Sequence, residues 1–330
     1  MAVSQVAYAL ALGLARHASW RLVVPAPRRP TFLFPTTTDV DPRAPRFAAS
    51  AFLQTLVKHG LTQADKALVW SSVSKKEAGV YAKIENYGSL VVRVVLQPAE
   101  EAARLVFANA PAHVDAAFSV LFKAASYLGL LFAALGAAYA PLLAEALQRG
   151  DDKSFGRGLA AYCLFVPLLA LNGMLEALVN AVGPPRHVAA VAAVHTLSAA
   201  AFLALGRYAV TRNGGVAANV VLAVALAYVV RVLGVAFVAL RPSQSLLRRR
   251  PDIPPLAVFA AFGLAALAAQ ASRRAFEAKA SFDVRSVAAH LAVGLLAAVG
   301  LLAVAFRTDR PFLFDAARFF DSRRRRPHED

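Results

Sequence analysis

The sequence predicts an all-α protein, a bundle of helices that crosses a membrane several times, and three observations support this prediction. The 330 residues are 58% hydrophobic, with a mean hydropathy of +0.52. The apolar residues form long continuous runs instead of the alternating pattern of half-buried strands, which is typical of helical membrane proteins. Short stretches rich in Gly, Pro, Arg and Asp separate these runs, as expected of loops between helices.

Six runs are long enough to cross a bilayer, which takes roughly 20 mostly apolar residues of helix. They are 118–147, 159–182, 188–209, 216–240, 254–272 and 286–306. Two further segments, 48–72 and 79–108, have the length of a span but carry several charges. Residues 2–24 form another apolar run, and because it lacks a basic N-terminal region we predict a span there, not a signal peptide.

The formal charge of +16 has three candidate explanations, which are nucleic acid binding, contact with anionic lipid, and membrane topology. Basic residues cluster in 241–252 and in the tail 307–330, each directly after an apolar run. Because Lys and Arg gather in the cytosolic loops of membrane proteins, topology accounts for the charge and we expect no nucleic-acid partner. This places the C-terminus in the cytosol, where the arginine run 323–326 can also reach anionic headgroups.

One charged segment, KIENYGSLVVRVVLQPAEEAARLVF at 83–107, has a helical period. Polar side chains recur there every three or four residues, so they share one face of a helix. This polar stripe consists of Glu85, Ser89, Arg93, Gln97, Glu100, Glu101 and Arg104. A charge in hydrocarbon costs about 2.5 kcal/mol or more, so the stripe must face water or the interior of a bundle. Pro98 lacks a backbone N–H, which predicts a kink near the middle.

Two interpretations of the polar stripe remain open. In the first, its charges pair along the helix and only stabilise packing, Arg93 with Gln97 and Arg104 with Glu100 or Glu101. In the second, the stripe lines a polar cavity of a transporter.

Other polar residues favour the cavity. The preceding segment repeats the pattern with Lys58, His59, Gln63, Asp65 and Lys66. Single charges and amides also interrupt the long apolar runs, at Glu176, Arg231, Asn172 and Asn219. Together they indicate a partly hydrated interior.

The sequence lacks the short motifs of nucleotide hydrolysis, dinucleotide binding and zinc hydrolysis, and it lacks a Gly-flanked nucleophilic serine. Its seven histidines are scattered without the spacing of metal ligands. The single cysteine, Cys163, cannot form an intramolecular disulfide. We therefore expect no catalytic residue, no metal and no cofactor.

The segment LTQADKALVW…EAGVYAKIENYGSLVVRVVLQPAEEAARLVFA resembles the signature region of the Rft family. This family comprises endoplasmic-reticulum membrane proteins linked to translocation of a dolichol-diphosphate-linked oligosaccharide for N-glycosylation. The best agreement is at GVY (79–81), N-x-GSLV (86–91), Arg93, QP (97–98) and EE (100–101). Two later stretches, YCLFVPLLALNGMLEAL (162–178) and AANV…R (217–231), resemble further spans of the family. TQAD at 62–65 departs from an acidic pair in the family and leaves only Asp65 acidic.

The resemblance implies the fold of the multidrug/oligosaccharidyl-lipid/polysaccharide exporters, in which two six-helix lobes flank a central cavity and two extra helices follow. On that plan 1–24 is the last helix of a truncated first lobe and 25–47 is a cytosolic linker. Residues 48–240 form the second lobe, 241–306 the two extra helices with a basic cytosolic loop, and 307–330 a basic cytosolic tail. A complete cavity then requires a partner lobe or a homodimer.

The resemblance also implies a substrate, a dolichol-diphosphate-linked oligosaccharide whose polyprenyl tail stays in membrane lipid. Its diphosphate would contact Arg93 and Arg104, with Lys58 and Lys66 as neighbours, because Arg binds phosphate oxygens in pairs. Its sugars would meet Asn86, Ser89 and Gln97. The residues for gating or pairing would be Asp65, Glu85, Glu100, Glu101, Glu176 and Arg231.

Two alternatives to a lipid-linked oligosaccharide transporter remain. One is a non-transporting scaffold that binds glycosylation enzymes through 241–253 and 307–330. The other is a cation-coupled exporter of the same fold, in which Asp65 or Glu176 matters more than Arg93.

Overall fold

The computed structural model describes residues 66–315, apart from 67, 110–112, 148–152, 212–215, 242–244, 250, 278–283 and 313. Within this part the chain is almost entirely helical and contains no strand. The predicted span 2–24, the linker 25–47, most of 48–72 and the tail after 315 lie outside the described residues.

The described helices follow the order predicted from the apolar runs. They are α1 Lys75–Val91, α2 Gln97–Asn109, α3 Val114–Leu131, α4 Ala137–Leu147, α5 Lys153–Val182, α6 Pro185–Thr211, α7 Val216–Leu240, α8 Leu256–Glu277 and α9 Val284–Thr308. A π-helical turn, Val92–Leu96, joins α1 to α2, and a second, Phe132–Gly136, joins α3 to α4. The charged segment 79–108 is therefore helical throughout, as predicted.

In the described part of the chain, six helical stretches are long and apolar enough to cross a membrane. They are Val114–Leu147, Lys153–Val182, Pro185–Thr211, Ala217–Leu240, Leu256–Glu277 and Val284–Thr308. Each contains or closely overlaps one of the six predicted runs, so the all-helical transmembrane bundle is confirmed.

The break predicted at Pro98 takes the form of a π-helical turn. Pro98 has no N–H for the carbonyl of Val94, four residues earlier. The Gln97 N–H bonds to the carbonyl of Val92, five residues back. The wider turn contains one residue more than an α-helical turn, and it therefore changes which side chains of α1 and α2 share a face.

Helix α5 is the centre of the bundle and packs against α1, α2, α3, α4 and α7. Glycines let α1 approach it closely. A Cβ at Gly88 would lie 2.5 Å from the ring of Tyr162, and a Cβ at Gly158 would overlap the side chain of Ile84. The absence of a side chain at Gly88 permits this close contact, which holds the polar stripe against α5.

A ladder of four α3 residues, spaced four apart, holds the later part of the chain. The backbone N–H of Arg248 donates to Asp115 at 2.9 Å, and that of Asp252 donates to Ser119 at 3.2 Å. One and two turns of helix after Ser119, Lys123 and Tyr127 bind Asp309. Lys123 Nζ lies 3.0 Å from its carboxylate, and the Tyr127 hydroxyl donates a hydrogen bond to it at 2.8 Å. The loop after α7 and the segment after α9 therefore attach to the same helix.

Candidate functional site

A cavity of about 700 Å³ opens between α1, α2, α5, α6 and α7. This volume falls within the usual range for small-molecule sites, roughly 300–1,000 Å³. Its polar lining consists of Tyr81, Glu85, Ser89, Gln97, Glu100, Glu101, Arg104, Tyr162, Asn180, Ser198, Tyr228 and Arg231. Phe165, Leu169, Phe202 and several small apolar residues complete the wall. A mixed wall of this kind suits a ligand that has both polar groups and apolar faces.

Among the described residues, every member of the polar stripe lines this cavity except Arg93. The π-helical turn brings Val92 to the wall in its place. The Arg93 guanidinium reaches back along α1, where Nη2 donates to the Asn86 carbonyl and to Ser89 Oγ, both at 2.9 Å. Arg93 therefore does not line the cavity itself, but it contacts Ser89, which does.

The side chains of the polar stripe pair with other partners than those expected. Gln97 Nε2 donates to Glu101 Oε1 at 3.4 Å, so Gln97 pairs with Glu101 and Arg93 with Ser89 and Asn86. Arg104 forms no hydrogen bond or ion pair with any residue that the structure describes, although it lines the cavity. The π-helical turn between α1 and α2 explains the change for Arg93, because it alters the spacing on which the expected Arg93–Gln97 pair relied.

Lys66 reaches the rim of the cavity through an ion pair with Glu85. Lys66 Nζ lies 3.0 Å from Glu85 Oε1, and both side chains are about a quarter exposed. The other two predicted residues of this segment, Lys58 and Asp65, lie outside the described residues.

A buried polar cluster stands behind the cavity wall, centred on Glu176 of α5. Glu176 Oε1 accepts hydrogen bonds from Arg231 Nη2 at 2.6 Å and Nε at 3.1 Å. The same oxygen lies 2.6 Å from Asn172 Nδ2 and 3.0 Å from His195 Nε2. All four side chains are buried, and the cluster ties α5, α6 and α7 together.

Arg231 connects this cluster to the cavity. Its Nη1 donates to the Tyr228 hydroxyl at 3.0 Å, and its Cζ lies 4.8 Å from the centre of the Tyr228 ring. The Tyr228 ring meets Phe165 edge-on, with centroids 4.8 Å apart. Since Arg231, Tyr228 and Phe165 all line the cavity, the buried ion pair forms part of its wall.

Glu100 adds a further carboxylate beside Arg231. It lines the cavity and contributes to the negative field at the Arg231 guanidinium. Gly173 of α5 leaves room for it, since a Cβ at that position would lie 3.0 Å from Glu100 Oε2. The stripe on α2 and the cluster on α5 and α7 are therefore one continuous electrostatic site.

Sequence reasoning missed His195 and Tyr228. The histidines are scattered along the sequence, yet His195 is fully buried in the middle of α6 and bonds to Glu176. The signal was present, because an ionisable residue in the centre of an apolar span is costly and points to a polar partner. Tyr228 could be found only through its position three residues before Arg231, on the same face of α7.

No group of three or more His, Cys, Asp or Glu side chains in the described residues is arranged to hold a metal ion.

Comparisons with known proteins relate the chain to one family. The family model of the Rft protein matches residues 1–318. The Man(5)GlcNAc(2)-PP-dolichol translocation protein RFT1 of Yarrowia lipolytica is 34% identical over 164 residues, which cover 44% of this chain and 24% of the relative. The proteins of the same name from Saccharomyces cerevisiae and Mus musculus are each 32% identical, over 40% and 39% of this chain and 25% and 27% of the relative.

The chain thus covers about a quarter of the length of these relatives. No solved structure matches it.

Proposed function

The chain belongs to the Rft protein family, and we propose that it takes part in moving a dolichol-diphosphate-linked oligosaccharide across the endoplasmic-reticulum membrane, with its C-terminus in the cytosol. The printed names of its relatives support the substrate class. The observation that carries the proposal is the polar cavity between α1, α2, α5, α6 and α7, which the most family-like segment lines.

The outer and inner faces of α1 and α2 suit a lipid-linked substrate. Val94, in the π-helical turn between them, and Leu105 of α2 are 69% and 60% exposed and can meet lipid. The opposite face carries the polar stripe. A substrate with a hydrocarbon tail and a polar head can therefore keep its tail in the bilayer while its head enters the cavity.

Two arginines of the wall suit the diphosphate. Arg104 is exposed and has no partner among the described residues, so its guanidinium can bind phosphate oxygens in pairs. Arg231 lies deeper and is held by Glu176. Arg93 is bonded to Ser89, so its role is to support the wall or to swing into the cavity when the ligand arrives.

The carboxylates of the wall keep the ligand from being held too firmly. Two pairs, Lys66–Glu85 and Arg231–Glu176, are neutral. The remaining charged residues of the lining are Glu100, Glu101 and Arg104, which together carry one negative charge. A translocator must release what it binds, and a wall that carries charges of both signs allows binding without trapping a multiply charged headgroup. Ser89 and Gln97 offer hydrogen bonds to sugar hydroxyls.

A rescue experiment tests this function. The chain is expressed in cells depleted of their own Rft protein, and glycosylation of a reporter glycoprotein is scored. We expect Arg104→Ala to lose most of the rescue at an unchanged protein level, and Arg93→Ala to lose part of it. Arg207→Ala is the control, because Arg207 is exposed on α6 away from the cavity lining.

Full rescue by Arg104→Ala would contradict a role of the cavity in carrying the headgroup. Loss of rescue only on changing 241–253 or 307–330 would favour a scaffold. Sensitivity confined to Glu176, together with dependence on an ion gradient, would favour a cation-coupled exporter.

A further inference from the structure

His195 and Arg231 share one carboxylate oxygen. His195 Nε2 and Arg231 Nη2 lie 3.0 and 2.6 Å from Glu176 Oε1. The two nitrogens are therefore within about 6 Å of each other, and both side chains are buried, so their interaction is screened less than it would be in water. The charge of His195 must then influence how strongly Glu176 holds Arg231.

The geometry fixes which imidazole nitrogen carries a proton. An ionised carboxylate only accepts hydrogen bonds, so His195 Nε2 is a donor in this arrangement. The imidazole can meet this requirement either neutral or with a second proton. With a neutral imidazole the Glu176–Arg231 pair has no net charge, and with a charged imidazole the cluster carries one positive charge.

The polar and charged neighbours of His195 come from three helices. From α5 it faces Glu176 and the amide of Asn172, and from α7 it faces Arg231 with Tyr228 behind it. Glu100 of α2 acts on the cluster through Arg231. On its own helix the neighbouring polar residue is Ser198, which bonds to the Ala227 carbonyl and does not titrate in the physiological range.

We propose that His195 is a positioning residue whose proton sets how firmly Glu176 holds Arg231, and therefore how available Arg231 is to an anionic headgroup in the cavity. When His195 is neutral, Glu176 serves one cation and keeps Arg231 against the wall. When His195 is charged, it competes for the same oxygen and repels Arg231, so Arg231 is released toward the cavity. This inference rests on the proposed function for its ligand, an isoprenyl diphosphate headgroup.

Two readouts test it on the whole chain in lipid nanodiscs. The first is the rate at which phenylglyoxal modifies Arg231, followed by mass spectrometry and divided by the rate at exposed Arg157 to remove the intrinsic pH dependence of the reagent. The second is the affinity for farnesyl diphosphate, with inorganic diphosphate as a probe that has the headgroup without the lipid. Both are measured between pH 5.5 and 8.

We expect the modification ratio to rise severalfold as the pH falls. One additional positive charge near the ligand at an effective dielectric of about 20 strengthens anion binding roughly tenfold. In His195→Gln the amide replaces the Nε2 donor but cannot be charged, so the modification ratio should no longer change with pH while the fold is retained. The affinity should then keep only the pH dependence that protonation of the diphosphate itself causes. His187→Gln, a change at another buried histidine of α6, should leave both profiles as in the unmodified chain.

The outcomes separate the two proposals. A flat modification ratio in the unmodified chain, or the same profile in His195→Gln, overturns the role of His195 whether or not a ligand binds. Failure to bind farnesyl diphosphate at any pH counts against the proposed function, and the modification ratio still decides the inference. Equal binding of inorganic diphosphate shows that the site reads the headgroup alone. It supports the inference if part of its pH dependence is lost in His195→Gln, and an unchanged dependence in that variant counts against it.

Discussion

At the scale of single residues, burying the Glu176–Arg231 pair costs desolvation free energy, and removing one of its two partners costs stability. Removing one partner of a buried ion pair typically costs about 3–5 kcal/mol, because the other charge stays buried without compensation. Replacing both by apolar groups is often nearly neutral. The two roles that such a pair can have, stabilising the bundle and handling a ligand, can therefore be tested separately.

This difference yields a prediction for the pair. Glu176→Ala should lower the free energy of unfolding by about 3 kcal/mol or more, because Arg231 and His195 lose their shared acceptor. The double variant Glu176→Leu with Arg231→Leu should be more stable than Glu176→Ala but inactive in the rescue assay. Thermal unfolding in detergent measures both. A double variant that is at least as unstable as the single one would show that the pair mainly stabilises the bundle.

Gly88 gives a second prediction at this scale. Gly88→Ala places a Cβ 2.5 Å from the Tyr162 ring, so α1 must move away from α5, at a cost of about 1–3 kcal/mol. Gly79→Ala on the same helix is the matched control. No atom lies within 4 Å of its added Cβ, and Ala favours helix over Gly by up to about 1 kcal/mol. Opposite shifts of the thermal midpoint are expected, and equal shifts would contradict close packing at Gly88.

At the scale of helices, the ladder on α3 attaches the last two spans to the rest of the bundle. Lys123 and Asp309 form its most buried contact, and Phe312 extends it by stacking on Tyr127 with ring centroids 5.5 Å apart. The two residues of the ion pair are 186 positions apart in the chain, so the pattern of apolar runs could not reveal it.

We therefore expect Lys123→Met to loosen α9. The change leaves Asp309 buried, with the Tyr127 hydroxyl as its one remaining side-chain partner among the described residues, and the cost should be about 3 kcal/mol. Arg273→Met breaks a more exposed pair, Arg273–Glu277, and should change stability by less than about 1 kcal/mol. Limited proteolysis after residue 277 reports the loosening. Equal protection of both variants would show that apolar packing alone holds α9.

The sequence predicts where the helices lie along the chain more accurately than it predicts which side chains line the cavity. Length and composition are sufficient for the six spans, because a membrane span must be long, apolar and helical. The polar stripe was also readable, since α-helical periodicity places its members on one face. The position of Arg93 was not, because the π-helical turn before Pro98 changes the spacing, and a turn of this kind leaves no unambiguous mark in a single sequence.

At the scale of the whole molecule, the two basic stretches have a common anchor. The loop 245–252 bonds to Asp115 and Ser119, and the segment after α9 bonds to Lys123 and Tyr127. All four anchors are on α3. That the two basic stretches share one side of the membrane stays a prediction.

The side of the membrane on which the two basic stretches lie can be measured directly. Single cysteines placed at Arg249 and at Phe314, in a Cys163→Ser background, should both react with a membrane-impermeant maleimide from the cytosolic side of sealed microsomes. Arg157→Cys, at the opposite end of a span, should react only after the membrane is permeabilised. Labelling of Arg249→Cys and Phe314→Cys from different sides would contradict the common anchor.

The central claim is that Arg104 and the cavity it lines bind the diphosphate head of a lipid-linked oligosaccharide. The most direct measurement is equilibrium binding of a polyprenyl-diphosphate glycolipid to the purified chain in nanodiscs, compared between Arg104→Ala and Arg207→Ala. Because a charged hydrogen-bond contact is worth about 1.5–3 kcal/mol, Arg104→Ala should weaken binding at least tenfold, while Arg207→Ala should not. Equal affinities in the two variants would contradict the account.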